Sequence, residues 1–186
     1  MPTQIGTFLS QLVKTPRQIG AVIPSGPVLA HRMAQGLGPN SGRVVEIGPG
    51  TGVITDQILR AGVPPQNLVL LEMNTLFCDR LRIRFPKVAV HNENADRITS
   101  LGLRDVSCVI SSLPLLNMTN EVQTAIVSAA FKTLCDGGDF VQFTYGFRPP
   151  IAPGIIGDLG LTWTRERRVW ANLPPASVYR FRRAMP

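Results

Sequence analysis

The stretch Glu46-Ile47-Gly48-Pro49-Gly50-Thr51-Gly52 constrains this chain most. It follows a β-rich run at 43–47 and opens a helical run at 51–61 that Gly62 closes. Glycines at alternate positions let the backbone turn tightly and lie close to a ligand, while the helix start offers free N–H groups. Several nucleotide-binding folds share such a turn, so by itself it marks a ligand position and not a ligand. Three neighbouring features narrow it. Glu46 stands two residues before Gly48, where a dinucleotide fingerprint asks for no acid. Glu72 ends the next β-rich run about twenty residues on, where a carboxylate accepts both hydroxyls of a ribose. Asn94-Ala95-Asp96 follows the third run, placed to meet an adenine edge. All fall at strand ends on one side of a sheet, which is where open α/β sheets bind ligands.

The rest of the pattern agrees with such a sheet. β-rich runs at 43–47, 68–72, 88–91, 107–111 and 139–145 alternate with helical runs at 51–61, 75–85 and 120–134, the last two closed by Pro86 and Gly137. Strand and helix in alternation predict an α/β domain with a largely parallel sheet. The Pro- and Gly-dense stretch 147–160 reads as one long irregular loop. Beyond it, 161–172 and 177–183 flank Pro174-Pro175 and read as two strands joined by a short turn, adding an antiparallel strand to the sheet. Upstream, Ser25 sits where an N-cap belongs and Pro27 near a first turn. Val28, Leu29 and Met33 supply an apolar face, so this helix is expected to pack on the sheet and present its capped end to the site.

The chain's 186 residues, 44% of them hydrophobic, suit one domain with a real core. Its net charge of +7 favours an anionic partner, either nucleic acid or a membrane surface. The cations gather toward the ends: Lys14, Arg17, Arg32 and Arg43 precede the first acid, Glu46, and seven arginines from Arg148 onward face only Asp158 and Glu166. Ile5, Phe8, Leu9, Leu12 and Val13 share one helical face, and Pro16 stops the run. Residues 1–16 are thus expected to form an amphipathic helix ahead of a domain at 17–186, packed on the core or lying in a membrane interface. No signal peptide or bilayer-spanning run is expected, which leaves peripheral contact and a cytoplasmic location. Cys78, Cys108 and Cys135 lack metal or redox spacing and read as buried free thiols, and neither His31 nor His91 occupies a motif position.

Taken together, Glu46 to Gly52, Glu72 and Asn94 to Asp96 resemble the motifs of the class I S-adenosylmethionine-dependent methyltransferases. The resemblance implies a Rossmann-like fold with seven mostly parallel strands, the last antiparallel, and helices on both faces. It also implies S-adenosylmethionine as cofactor and S-adenosylhomocysteine as product. Gly48, Gly50, Thr51 and Gly52 would hold the methionine portion beside Glu46. Glu72 would take the ribose and Asp96 the adenine amino group, with Met73 and Ala95 lining the ring. No metal is demanded.

The residues after the fourth strand, Ser111-Ser112-Leu113-Pro114-Leu115-Leu116-Asn117, bear on the substrate. Adenine amine methylases, and the rRNA adenine N6-methyltransferases as a close variant, place an aromatic after the proline to stack on the base; Leu115 cannot do this. The same stretch, with Gly20 to Ser25, Glu46 to Thr55 and Asn172-Leu173-Pro174-Pro175-Ala176, is similar to the bacterial phospholipid N-methyltransferases of the short, membrane-associated type. That resemblance implies stepwise methylation of phosphatidylethanolamine to phosphatidylcholine at an anionic membrane surface. Ser112 and Leu113 would border the cofactor, with Ser112 and Tyr145 at the reacting amine. Ser25, Tyr145, Tyr179 and Arg180 would hold the lipid headgroup, and Ile151, Ile155 and Ile156 of the long loop could cover acyl chains. The competing readings are an rRNA methyltransferase on the same fold and a membrane-binding module without turnover.

Overall fold

The structure, a computed structural model, describes residues 26–184. The expected amphipathic helix at 1–16 and the candidate substrate residue Ser25 lie outside the described residues. Seven strands form one sheet: β1 (Arg43–Ile47), β2 (Leu68–Glu72), β3 (Ala89–Asn92), β4 (Val106–Ser111), β5 (Leu134–Thr144), β6 (Leu161–Arg165) and β7 (Ser177–Arg183). Their order is β3-β2-β1-β4-β5-β7-β6. The pairs among β1 to β5 are parallel, and β7 runs antiparallel between β5 and β6. This is the sheet that the sequence pattern predicts, with the order reversing between β1 and β4 so that a crevice opens beyond their C-terminal ends.

Alternation along the strands sorts the core into two layers. Val45, Ile47, Val109, Phe140, Tyr179 and Phe181 face helix α4 (Asn120–Thr133), whose Ile126, Val127 and Ala130 cover them. Val44, Leu70, Ile110, Val141 and Val178 face the other way, onto α1 (Pro27–Met33), α2 (Val53–Arg60) and α3 (Thr75–Arg84). Each fully buried Leu or Ile contributes about 1.5–3 kcal/mol, so the two layers hold the sheet between helices on both faces. Cys108 lies in the second layer, where burial pushes its thiol up to about 12 and leaves it inert. All three cysteines are free, Cys135 being only partly buried.

Several local expectations need correction. Residues 147–160 are not one irregular loop, because helix α5 (Pro153–Asp158) starts at Pro153 and is followed by Gly160 with positive φ. Ile151 and Ile155 are buried in the α4-side layer, so they cannot cover acyl chains. Gly137 does not close α4. The helix passes directly into β5 at Leu134, and Gly137, at φ +75°, sits where the β4–β5 register shifts. β6 ends at Arg165 rather than near 172, and 166–176 loops out, tied by an isolated bridge between Val169 and Ala176. The N-cap of α1 is Gly26, one residue later than expected, and Val28 faces solvent while Ala30 takes its place in the core.

Candidate active site

Two backbone bonds close the β1–α2 turn. Gly48 N–H donates to the Leu71 carbonyl at 2.9 Å, and Gly52 N–H donates to the Pro49 carbonyl at 2.9 Å. Gly48 and Gly52 have positive φ of 71° and 80°. A Cβ on Gly48 would stand 2.8 Å from Leu113 Cδ2, whereas one on Gly50 would meet nothing within 4 Å. The turn is therefore packed tightly against the β4 loop at Gly48 and open at Gly50, as a surface that receives a ligand must be. Thr51 is exposed beside it, its carbonyl taken by Arg84 at 2.8 Å.

Two buried carboxyl groups stand at this edge. Glu46 is fully buried, with the Thr55 hydroxyl donating to its Oε2 at 2.6 Å and with Oε1 unpartnered. Burial pushes its pKa up to about 8, against the Thr55 bond and with help from the Glu72 charge. Glu72 accepts the Gly50 N–H at 3.1 Å on Oε2 and the Asn74 N–H at 2.9 Å on Oε1, so it fixes the glycine turn to the start of α3. Burial raises its pKa too, opposed by those N–H groups. Each of its oxygens retains a lone pair for a hydroxyl donor.

Further along the edge, Met73 is half-buried just after β2, and Ala95 is buried three residues beyond β3. Asp96 stands in the first turn of the short helix Ala95–Leu101, its Oδ1 buried without a partner. Ser112 N–H bonds the Ile47 carbonyl at 3.0 Å, and its Oγ is also buried and unpartnered. Leu113 leans on Gly48, its carbonyl accepting from Gln142 Nε2 at 2.8 Å. Orphaned buried oxygens cost roughly 1–3 kcal/mol each unless something bonds them. Glu46 Oε1, Asp96 Oδ1 and Ser112 Oγ at one edge, beside the open face of Gly50, therefore suit a polar ligand with several donors, as a methionine-bearing nucleoside is. Among the described residues no group of His, Cys, Asp and Glu is arranged to hold a metal.

Tyr145 follows β5 at the same edge, half-buried, its ring edge-on to Phe143 at 5.5 Å. Burial raises its pKa, opposed by the neighbouring Asn172 side chain. The structure does not bring the other two headgroup candidates here. Tyr179 is 1% exposed in the α4-side core, against Phe181 and Trp163, and its hydroxyl is spent on the Phe147 carbonyl at 3.1 Å. Arg180 lies lower on β7, bonded to Glu166 Oε1 at 2.7 Å and to the Gln35 carbonyl, with Asp139 beside it. Both are structural.

Other residues with a part in the site escape sequence reasoning. Asn172, 3% exposed, accepts the Gly26 N–H on Oδ1 at 2.9 Å and donates to the Pro174 carbonyl at 2.8 Å, so it joins the start of α1 to the β6–β7 loop beside Tyr145. Its place in the Asn172-Leu173-Pro174-Pro175-Ala176 motif is the signal that could have found it. Arg168 donates to the carbonyls of Tyr145, Gly146 and Pro175 and so holds that loop to the end of β5. Thr55 ends the Glu46 to Thr55 stretch of the resemblance, whereas Gln142 carries no motif signal beyond being polar in apolar surroundings.

No protein-family model matches the chain. An ornithine lipid N-methyltransferase of Singulisphaera acidiphila is 30% identical over 182 residues, covering 92% of each chain. Among solved structures, a TehB-like S-adenosylmethionine-dependent methyltransferase of Corynebacterium glutamicum matches 96% of this chain and 98% of its own, with TM-score 0.64 and 13% identity. The glycopeptide N-methyltransferase MtfA, solved with S-adenosylmethionine, matches with TM-score 0.68 over 88% of this chain and 96% of its own, at 15% identity. At those identities the structural matches speak for the fold, and the sequence match over nearly the full length speaks for the family. On a class I S-adenosylmethionine-dependent methyltransferase fold, this chain belongs to the bacterial lipid N-methyltransferase family.

Proposed function

We propose that this enzyme transfers methyl groups from S-adenosylmethionine to the primary amine of a membrane lipid and releases S-adenosylhomocysteine each time. Its substrate is phosphatidylethanolamine, methylated stepwise to phosphatidylcholine at the inner face of the cell membrane. The observation that carries the reading is the row of unpartnered buried oxygens on Glu46, Asp96 and Ser112 beside the open glycine turn, in a chain related to a lipid N-methyltransferase.

When bound, the cofactor supplies a methyl carbon made electrophilic by its cationic sulfur. The turn Gly48 to Gly52 and Glu46 would hold its methionine end, Glu72 the ribose, and Asp96 the adenine amine, with Met73 and Ala95 lining the ring and Leu113 beside Gly48 bordering the cofactor. A lipid ammonium has no lone pair, so it must enter neutral or lose its proton before the nitrogen–carbon bond forms. Burial disfavours the ammonium form in the cleft. In the first transfer, Ser112 Oγ and the Tyr145 hydroxyl would each accept an N–H from the neutral primary amine and point its lone pair at the methyl; the methylated ammonium then gives up a proton to water before the next transfer. Tyr145 orients and does not abstract, because burial keeps its phenol protonated at neutral pH. Such alignment supplies much of the barrier reduction in a displacement of this kind.

A second reading, an ornithine lipid as substrate, is favoured by two observations. The relative acts on that lipid by name, and Arg180, the cation expected to hold a phosphodiester, is committed to Glu166. An ornithine lipid offers a primary amine with no phosphate to bind. RNA methylation keeps the net charge in its favour but finds no stacking face after Pro114, where Leu115 is buried.

The test is methyl transfer from labelled S-adenosylmethionine to vesicles containing phosphatidylethanolamine, to vesicles containing ornithine lipid, and to ribosomal RNA. Label in mono-, di- and trimethylated phosphatidylethanolamine is expected. Label in ornithine lipid alone selects the second reading. Label in RNA alone, or in none of the three, refutes both.

A further inference from the structure

Four large apolar side chains stand exposed around the mouth of the site: Leu116 at 52%, Phe147 at 72%, Trp170 at 74% and Leu173 at 82%. They come from three loops that converge there. Leu116 follows the Ser112 loop, and its Cδ1 lies 3.8 Å from where a Cβ of Gly146 would be, next to Phe147. Arg168 lies over both the Phe147 ring, at 4.4 Å, and the Trp170 ring, at 5.7 Å. Leu173 follows Asn172, which contacts the start of α1. Leu116, Phe147 and Trp170 are thus linked, Leu173 lies three residues beyond Trp170 on the same loop, and the other two loops carry Ser112 and Tyr145.

Its charge is one-signed. Arg148 and Arg167 are exposed on these loops, and Arg165 donates to the Phe147 carbonyl at 3.3 Å. Glu166, the acid among them, is turned away onto Arg180. Exposed Trp, Phe and Leu cost solvation in water, and an aromatic ring beside a guanidinium is stable where acyl chains meet headgroups. Arginines at that depth meet lipid phosphates, each near-surface cation adding attraction that salt screens.

We propose that this rim, Leu116, Phe147, Trp170 and Leu173 with Arg148 and Arg167, is the surface that docks the enzyme on an anionic phospholipid bilayer. Docking there seats the mouth against the membrane, so an amine rises from its own leaflet into the cleft without the lipid leaving the bilayer. The inference rests on the lipid-amine reading above, and it names the surface through which such a substrate arrives.

Trp163→Phe in the full-length protein leaves Trp170 as the sole tryptophan. Its emission is expected to shift to the blue with phosphatidylglycerol vesicles, and much less with phosphatidylcholine vesicles or in high salt. Trp170→Ser with Leu173→Ser, made in the wild-type background, is expected to weaken sedimentation with phosphatidylglycerol vesicles by about tenfold or more. The doubly substituted protein keeps its thermal midpoint, and it keeps its rate on short-chain phosphatidylethanolamine or ornithine lipid supplied below its micelle concentration. Trp170 emission that is already blue without vesicles and unmoved by them overturns the proposal, because the rim is then covered by another part of the chain or a second copy. Unchanged sedimentation of the double variant also overturns it. Loss of methyl transfer to every amine by the wild type, with vesicle binding intact, defeats the function reading and leaves the docking surface standing.

Discussion

The Thr55 hydroxyl donates to Glu46 Oε2 at 2.6 Å, joining the first turns of α2 to β1 at a point where neither residue is exposed. One carboxyl oxygen is anchored in the scaffold while the other, Oε1, has no partner in the protein. Thr55→Val nearly preserves shape and removes only that bond. The buried carboxyl then loses its one side-chain partner, so a loss of about 1–3 kcal/mol is expected in urea denaturation. Thr55→Ser keeps the hydroxyl and should lose less than half as much. Equal losses from the two would mean that packing, and not the bond, fixes Glu46.

Glu46 also sets a pH dependence. Its folded pKa, pushed up from 4.5 to about 8, means that the folded protein holds a proton the unfolded chain has already released. The associated stability is present below about pH 4.5 and is lost as pH rises toward 8, and Glu72 contributes in the same direction. Denaturation midpoints of the ligand-free protein should therefore fall across this window, and less steeply in Glu46→Gln. A cationic ligand favours the carboxylate, so binding of S-adenosylmethionine at pH 7 should release protons. Calorimetry in buffers of different ionisation enthalpy reads that release, which should shrink in Glu46→Gln. A midpoint that climbs from pH 5 to 8 would contradict the assignment.

Arg180 separates a structural role from a headgroup role. Its side chain is 17% exposed and bridges Glu166 on the β6–β7 loop to Gln35 beyond α1. Arg180→Ala should cost about 1–3 kcal/mol of stability by leaving the part-buried Glu166 with only the more distant Arg32, at 3.8 Å. The KM for the lipid should stay within twofold of wild type when measured well below the melting temperature. A large rise in KM with unchanged stability would restore the phosphate-binding role that its sequence position suggested.

What the sequence revealed and what it hid divide by range. The glycine turn, Glu72 and Asp96 were legible because each lies at a strand end, and strand ends follow from local pattern. Tyr179 and Arg180 were misplaced because alternation says that neighbours face opposite sides without saying which side is core. Pairing with Gln142 of β5 sent Tyr179 inward, and Glu166 claimed Arg180. The bond from Gly26 to Asn172 spans 146 residues, so nothing local announced it. Helix α5 was hidden by its own glycines, Gly154 and Gly157, which lower helix propensity; burial of Ile155 in the core outweighs them.

Tyr145 tests the chemistry most directly. Its carbonyl is held by Arg168 at 2.9 Å and its ring by Phe143, so Tyr145→Phe removes the hydroxyl, with its contact to Asn172, and leaves those two in place. If the hydroxyl orients the neutral amine, kcat on the lipid should fall about 10- to 100-fold, the equivalent of about 1.4–2.7 kcal/mol, while the KM for S-adenosylmethionine stays unchanged. The rise of rate with pH should survive, because it reports loss of a proton from the substrate amine and not from a phenol whose pKa burial has raised. A base at Tyr145 predicts the opposite, with the pH-dependent rise flattened in Tyr145→Phe. Ser112→Ala should reproduce the same loss in kcat through its own unpartnered hydroxyl. The two substitutions together should cost less than the product of their separate effects, since each hydroxyl aims the same nitrogen.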